Sequence, residues 1–218
     1  MSRNPENFTM RTYGLLAAGL ALLLVCVPSG AQDLDPMAQA HARRVAITVC
    51  GSCHGRNGIS EQPKFPHLAG QKPEYLAAQL KAFKSQSRGD PDALSYMWGM
   101  SAPLEDDTID ALAQYYAMLP APAPVSRSVS SDLVRKGHDI YEHGVEAIGV
   151  PACAACHGQD AHGLVAFPRL AGQTSQYVLK QLTSFQNNMR DMAVMHGVAQ
   201  GLRSNEMQAV AAYLETLP

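Results

Sequence analysis

From residue 35 onward the apolar positions recur at helical spacing, and no stretch alternates apolar with polar as a half-buried strand would. Asp35–Val49 carries Ala and Val at intervals that predict a helix. Its later counterpart is Ser131–His143, which stops at Gly144, with extra residues before Pro151. Pro73 suits the first turn of a helix. Tyr75, Leu76, Leu80 and Phe83 then share one face, and a second helix of this kind is predicted from about Ser175 to Asn188. Asp106 and Ser204 are the predicted N-caps of two further helices. Ile109, Leu112, Ala113 and Tyr116 form the apolar stripe of one; Met207, Val210, Ala211 and Leu214 form that of the other. The predicted class is all-α.

The same pattern is written twice. Pro66-His67-Leu68-Ala69-Gly70-Gln71 returns as Pro168-Arg169-Leu170-Ala171-Gly172-Gln173. Tyr75, Gln79, Leu80 and Phe83 return as Tyr177, Gln181, Leu182 and Phe185. Leu104, Ala113, Tyr115, Leu119 and Pro120 return as Leu202, Ala211, Tyr213, Leu217 and Pro218. Ordered matches over this length predict an internal duplication. Between the copies, Pro120–Val125 alternates Pro with Ala and a Ser-rich run follows, a composition that favours extended, semi-rigid backbone. The predicted organisation is a first domain at 32–120, a linker at 121–130 and a second domain at 131–218.

Residues 1–31 have the pattern of a cleavable secretory signal. Arg3 and Arg11 give a positive start, Gly14–Val27 is continuously apolar, and Ser29-Gly30-Ala31 is a small-residue cleavage site. The apolar run is shorter than the roughly 20 residues that span a bilayer. Cys26 follows Val25, which does not suit lipoprotein processing. The expectation is export to the periplasm.

Composition sharpens the picture in two ways. Aromatic residues make up only 6% of the chain, so two small domains would each lack bulk for a core and would need a staple. The formal charge is −2, and loss of the signal makes it slightly more negative. No basic run points to nucleic acid.

The four cysteines beyond the signal fall in two motifs, Cys50-Gly51-Ser52-Cys53-His54 and Cys153-Ala154-Ala155-Cys156-His157. Each is C-x-x-C-H, the attachment signature of a c-type haem. Two thiols three residues apart each form a thioether to one porphyrin vinyl group, and the adjacent His supplies the proximal nitrogen to iron. A zinc site wants four ligands from one region, and neither motif has a second Cys pair nearby. A redox dithiol would not need His next to it twice. With every mature cysteine committed, no structural disulfide remains. A covalent haem in each half would supply both the staple and the missing apolar bulk.

Repeat register selects the distal ligands. Methionine is a soft thioether ligand that raises the potential. Met97 lies seven residues before Leu104, and Met195 seven before Leu202, whereas Met100, Met189 and Met192 have no partner in that register. His196 competes with Met195, but its counterpart is Trp98. His41, His67, His138, His143 and His162 read as surface or hydrogen-bonding residues. Pro66 and Pro168 lie where their carbonyls can accept the second N–H of His54 and His157. Arg88 and Arg190 match in the repeat, and either pair with haem propionates or end a solvated helix. Tyr75 and Tyr177 either reach a propionate or simply pack.

C-x-x-C-H-G twice, the repeated Pro-x-Leu-Ala-Gly-Gln, Tyr-x-x-x-Gln-Leu-x-x-Phe and Gly149-Val150-Pro151-Ala152-Cys153 together resemble the dihaem cytochrome c4 family over essentially the whole mature chain. The resemblance implies two tandem cytochrome c-like domains, each wrapped around a covalent haem and related by a pseudo-two-fold axis, with haem edges facing across the interface. It implies His/Met ligation, which falls here on His54 with Met97 and His157 with Met195. It further implies a periplasmic electron carrier with redox partner proteins such as a membrane terminal oxidase or a quinol-oxidising complex. Peripheral membrane association is compatible with it, and no small-molecule substrate is expected. One departure stands out: Ser85–Leu94 is four residues longer than its copy ahead of the Met. The competing readings are the cytochrome subunit of a dehydrogenase complex, and an enzyme of the dihaem peroxidase or thiosulfate-oxidising type. Such an enzyme needs an iron with an exchangeable or unusual ligand, and a Met at both matched positions speaks against it.

Overall fold

The computed structural model describes residues 35–124 and 130–218, which pack within one compact unit. The signal predicted at 1–31 and the linker residues 125–129 lie outside the described residues.

Helix α1 (Pro36–Val45) starts on Asp35, whose carboxylate accepts from the Met37 N–H at 3.2 Å, with Pro36 at the first position. It does not run evenly to Val49. A wide π turn, Ala46–Cys50, comes next, and Gly51–His54 then returns to α geometry. An extra residue in one turn shifts the helical phase of the residues beyond it, here the first C-x-x-C-H, and such turns concentrate at functional sites. Helix α2 spans Pro73–Lys84 and α3 spans Asp106–Ala117. The cap of α3 is Glu105 rather than Asp106. Asp106 and Asp107 instead occupy its first turn, where the helix dipole favours negative charge.

The second half is built on the same plan. Helix α4 (Ser131–His143) ends at Gly144, as predicted from the sequence, and Gly144 takes a positive φ of 71°. The extra residues form a short 3-10 turn, Glu146–Ile148, closed by a bridge between Val145 and Val150. Helix α5 (Ser175–Gln186) stops two residues short of the expected end because Asn188 adopts a left-handed conformation, which Asn tolerates better than most residues. Helices α6 (Ala193–Gly201) and α7 (Ser204–Glu215) complete the fold. The cap of α7 is Arg203 rather than Ser204. Glu206 reaches back to accept from the Arg203 backbone N–H at 2.8 Å and from its Nε at 3.0 Å.

In each half the first two long helices pack on the last. Helices α1 and α2 lie on α3 around Ala42, Leu76, Leu112 and Tyr116; α4 and α5 lie on α7 around Tyr141, Leu182, Met207 and Leu214. Helices α4 and α7 cross very closely at Gly137, where a Cβ would fall 2.0 Å from the Ala209 carbonyl oxygen. Among the described residues the Val145–Val150 bridge is the only strand-like pairing, and no helix is long and apolar enough to cross a membrane. The fold is all-α, with two similar helical halves in tandem.

The halves meet through bonds that exchange under the repeat. Gln71 Nε2 donates to the Arg169 carbonyl at 2.9 Å, and its Oε1 accepts from the Arg169 N–H at 2.7 Å. Gln173 does the same to His67, at 3.0 Å in both directions. Gln71 matches Gln173 and His67 matches Arg169, so the contact is self-complementary in the manner of a two-fold interface.

Candidate functional site

Each C-x-x-C-H sits on one short helical turn, Gly51–His54 or Ala154–His157. Each turn ends on a glycine in the left-handed region, Gly55 or Gly158. At Gly55 a Cβ would meet the Ile59 carbonyl oxygen at 2.0 Å, which explains why Gly stands after His there. All four cysteines are partly buried and none is in a disulfide. Before haem attachment, burial raises Cys50 above its ordinary value and lifts Cys153 to about 11, so both are neutral thiols at pH 7 in the unmodified chain.

The imidazoles are buried and oriented. His54 Nδ1 lies 2.9 Å from the Pro66 carbonyl and His157 Nδ1 lies 3.1 Å from that of Pro168. A carbonyl only accepts, so Nδ1 carries the proton and Nε2 presents a bare lone pair, the tautomer a metal-binding imidazole needs. Burial lowers both histidines below their ordinary value, and the carbonyl bond opposes this only in part. Both therefore stay neutral. The Tyr141 hydroxyl ties down the end of the second turn by donating to the Gly158 carbonyl at 2.6 Å.

Aromatic rings line the approach to each imidazole. The Phe65 ring centroid is 6.0 Å from that of His54, and Tyr96 is 5.6 Å from Phe65. Tyr96 precedes Met97, so this chain of rings links the Met97 stretch to the His54 side. Phe167 lies 6.0 Å from His157, while Met195 and Cys153 pack against the same core of the second half. Met97 and Met195 are both half-buried, whereas Met100 and Met192 are 53% and 46% exposed. His196 points Nδ1 at the Phe185 carbonyl, 2.7 Å away.

Arg88 and Arg190 do not end solvated helices: both are 6% exposed and meet at the contact between halves. Arg88 Nε donates to Asp90 at 2.6 Å, Nη1 to Gln79 at 2.7 Å and Nη2 to Gln181 at 2.8 Å. Arg190 donates to Gln181 at 2.9 Å, to Tyr75 at 2.7 Å and to Gln79 at 2.8 Å. Burial works against the charge on Arg88, but Tyr177, Tyr75 and Asp90 outweigh it and hold the group above its ordinary value. Only Arg88 pairs with the buried Asp90 carboxylate, while the Arg190 guanidinium rests on neutral partners. Asp90 Oδ1 and Gln181 Nε2 find no partner among the protein atoms. Surplus positive charge with a free buried donor suits an anionic group, and haem propionates fit that description.

Sequence reasoning paired the arginines but missed what holds them. Gln79 and Gln181 stand in the repeat and were legible only as its markers. Asp90 has no acidic counterpart, so no repeat signal pointed to it.

Two helical halves, each with a C-x-x-C-H turn and an oriented neutral imidazole, define a tandem c-type cytochrome. Comparison with known proteins agrees. The cytochrome c family matches residues 40–119 and 134–218. Cytochrome c4 of Azotobacter vinelandii is 36% identical over 82% of this chain and 89% of its own. A solved cytochrome c4 structure from Acidithiobacillus ferrooxidans superposes with a TM-score of 0.73 at 40% identity, covering 77% of this chain and 98% of that one. A thiosulfate dehydrogenase electron acceptor of Stutzerimonas stutzeri is 33% identical over 90% of this chain and 91% of its own. The chain belongs to the dihaem cytochrome c4 family. It is an electron carrier with two haem c groups and works with redox partner proteins.

Proposed function

We propose that Cys50 and Cys53 hold one haem by thioethers and Cys153 and Cys156 the other, with His54 and Met97 as axial ligands of the first iron and His157 and Met195 of the second. Bound haem supplies a reversible one-electron change at iron. The rest is work done by the chain. Pro66 and Pro168 fix the imidazole tautomer, the two methionines close the distal face, and Arg88 and Arg190 take propionates at the contact between halves. The domains run 32–120 and 131–218, with 121–130 as the linker. Export through a signal at 1–31 delivers the protein to the periplasm, and its electrons go to a membrane terminal oxidase. The observation that carries this reading is that each half holds the same full set: paired thiols, an imidazole held by a proline carbonyl, and a half-buried Met in matched register. With both irons so filled, no position remains for a small substrate.

A second reading gives the electrons a different source. The likeness to a thiosulfate dehydrogenase electron acceptor favours a role as the cytochrome partner of a periplasmic dehydrogenase. The carrier reading calls for small, transient docking contacts, with charge acting on the association rate more than on affinity, whereas the second calls for a fixed partner. Rapid mixing tests them. Reduced holoprotein is expected to be oxidised quickly by membranes containing a haem–copper oxidase and to turn over neither peroxide nor thiosulfate by itself. Substantial turnover of either by the six-coordinate protein contradicts the carrier reading. Fast reduction by a thiosulfate dehydrogenase with no oxidation by the membranes supports the second reading over the first.

A further inference from the structure

The contact between halves is symmetric at its glutamines and arginines but not along helix α5. Thr174, just ahead of that helix, donates from Oγ1 to the Pro63 carbonyl at 2.7 Å. Lys180, on the helix, donates to the Lys64 carbonyl at 2.8 Å and pairs with the Asp92 carboxylate. Gln181 accepts from Arg88. These partners lie in two loops of the first half. Pro63 and Lys64 lead into Pro66, whose carbonyl holds His54. Asp92 opens the turn that ends at Met97, and the Arg88 carbonyl accepts from Trp98 Nε1 at 2.8 Å. One lysine of the second half therefore fastens both loops that flank the first iron site.

The first half does not return the favour. The repeat counterpart of Lys180 is Ala78, which has no group to donate. The counterparts of Pro63 and Lys64 are Val165 and Ala166, and Val165 is 84% exposed. Phe65, beside the fastened loop, is 8% exposed; its counterpart Phe167 is 45% exposed. The first distal loop is also the longer by four residues, and a longer loop costs more entropy to hold closed. It is the loop with more need of an external brace.

We infer that Lys180 is a positioning residue for the first iron: through Asp92 and the Lys64 carbonyl it holds the Met97 loop closed, so ligation in the first half depends on the second half while the reverse does not hold. The inference rests on Met97 being the distal ligand. Cyanide must displace that ligand, so the rate at which it binds reports how often the loop opens. In ferric holoprotein, cyanide binding monitored optically is expected in two phases, and Met97→Ala identifies the first-half phase by making it fast. Lys180→Met keeps the aliphatic stem and removes the charge. It is expected to speed the first-half phase by about threefold or more, the scale of a half-buried ion pair, and to leave the second-half phase unchanged. Asp92→Asn is expected to act alike, and Lys180→Arg to retain the parent rate. An unchanged first-half phase in Lys180→Met, or equal acceleration of both phases, overturns the brace alone. If Met97→Ala accelerates neither phase, the ligand assignment fails and the brace falls with it.

Discussion

An imidazole that donates from Nδ1 to a carbonyl has its other nitrogen bare, and this chain makes that arrangement twice with a proline carbonyl. Spacing alone made it legible: Pro66 and Pro168 stand at nearly equal distances past His54 and His157. The burial of His67 was not legible. The residue read as a surface or hydrogen-bonding residue with nothing to choose between them; it is buried, and its Nδ1 accepts from the Ser60 N–H at 2.9 Å. That bond requires an unprotonated Nδ1. Burial lowers His67 below its ordinary value, with Glu215 pulling the other way. In the unfolded chain the group takes its proton at about pH 6.5. As pH falls below that, the unfolded state binds the proton first and stability drops; above it, His67 contributes no pH dependence. His54 and His157 are lowered too, but the proposed iron ligation takes them out of this titration. His67→Asn keeps an oxygen acceptor for Ser60 and cannot titrate. Thermal midpoints recorded between pH 7.5 and 5.5 are expected to fall less for the variant than for the parent. Parallel curves would rule out this role for His67.

At the scale of elements, period and breakers placed six of the helices α1–α7, because the apolar stripe and the Gly or Pro boundaries act locally; α6, Ala193–Gly201, was not read from the sequence. The details that failed depend on side chains reaching across a turn or on tertiary packing. Glu206 moved the start of α7 by one residue by bonding back to Arg203, and the π turn after Val45 has no signature in the apolar period. The crossing of α4 and α7 at Gly137 belongs to the same class, since helix propensity there argues against glycine. Ala normally stabilises a helix interior by about 1 kcal/mol over Gly. At this crossing the added methyl would collide with the Ala209 backbone and the Tyr213 Cβ. Overpacking of this kind costs about 1–3 kcal/mol or more, so Gly137→Ala is expected to be destabilising in urea unfolding. A stabilising outcome would show that the helices separate freely.

For the whole molecule, the duplication announced two like halves, and the interface uses it: the bonds of Gln71 to Arg169 and Gln173 to His67, and of Arg88 to Gln181 and Arg190 to Gln79, cross the contact as matched pairs. What the repeat hid is the asymmetry. Asp90 and Lys180 have no like counterpart, and single unmatched residues leave no pattern to read; Phe167 matches Phe65 in kind but not in exposure. The two irons therefore sit in similar sites with unlike surroundings, which suits a relay with two distinct potentials. The most direct test of that account is an optical redox titration of the holoprotein with the ferric methionine–iron band recorded alongside, repeated for Met97→Ala and Met195→Ala. Two one-electron steps are expected in the parent. Each variant should lose about half of the band and show one lowered potential, because a thioether ligand favours ferrous iron. A parent without the band, or either variant with the band intact, would contradict paired His/Met ligation.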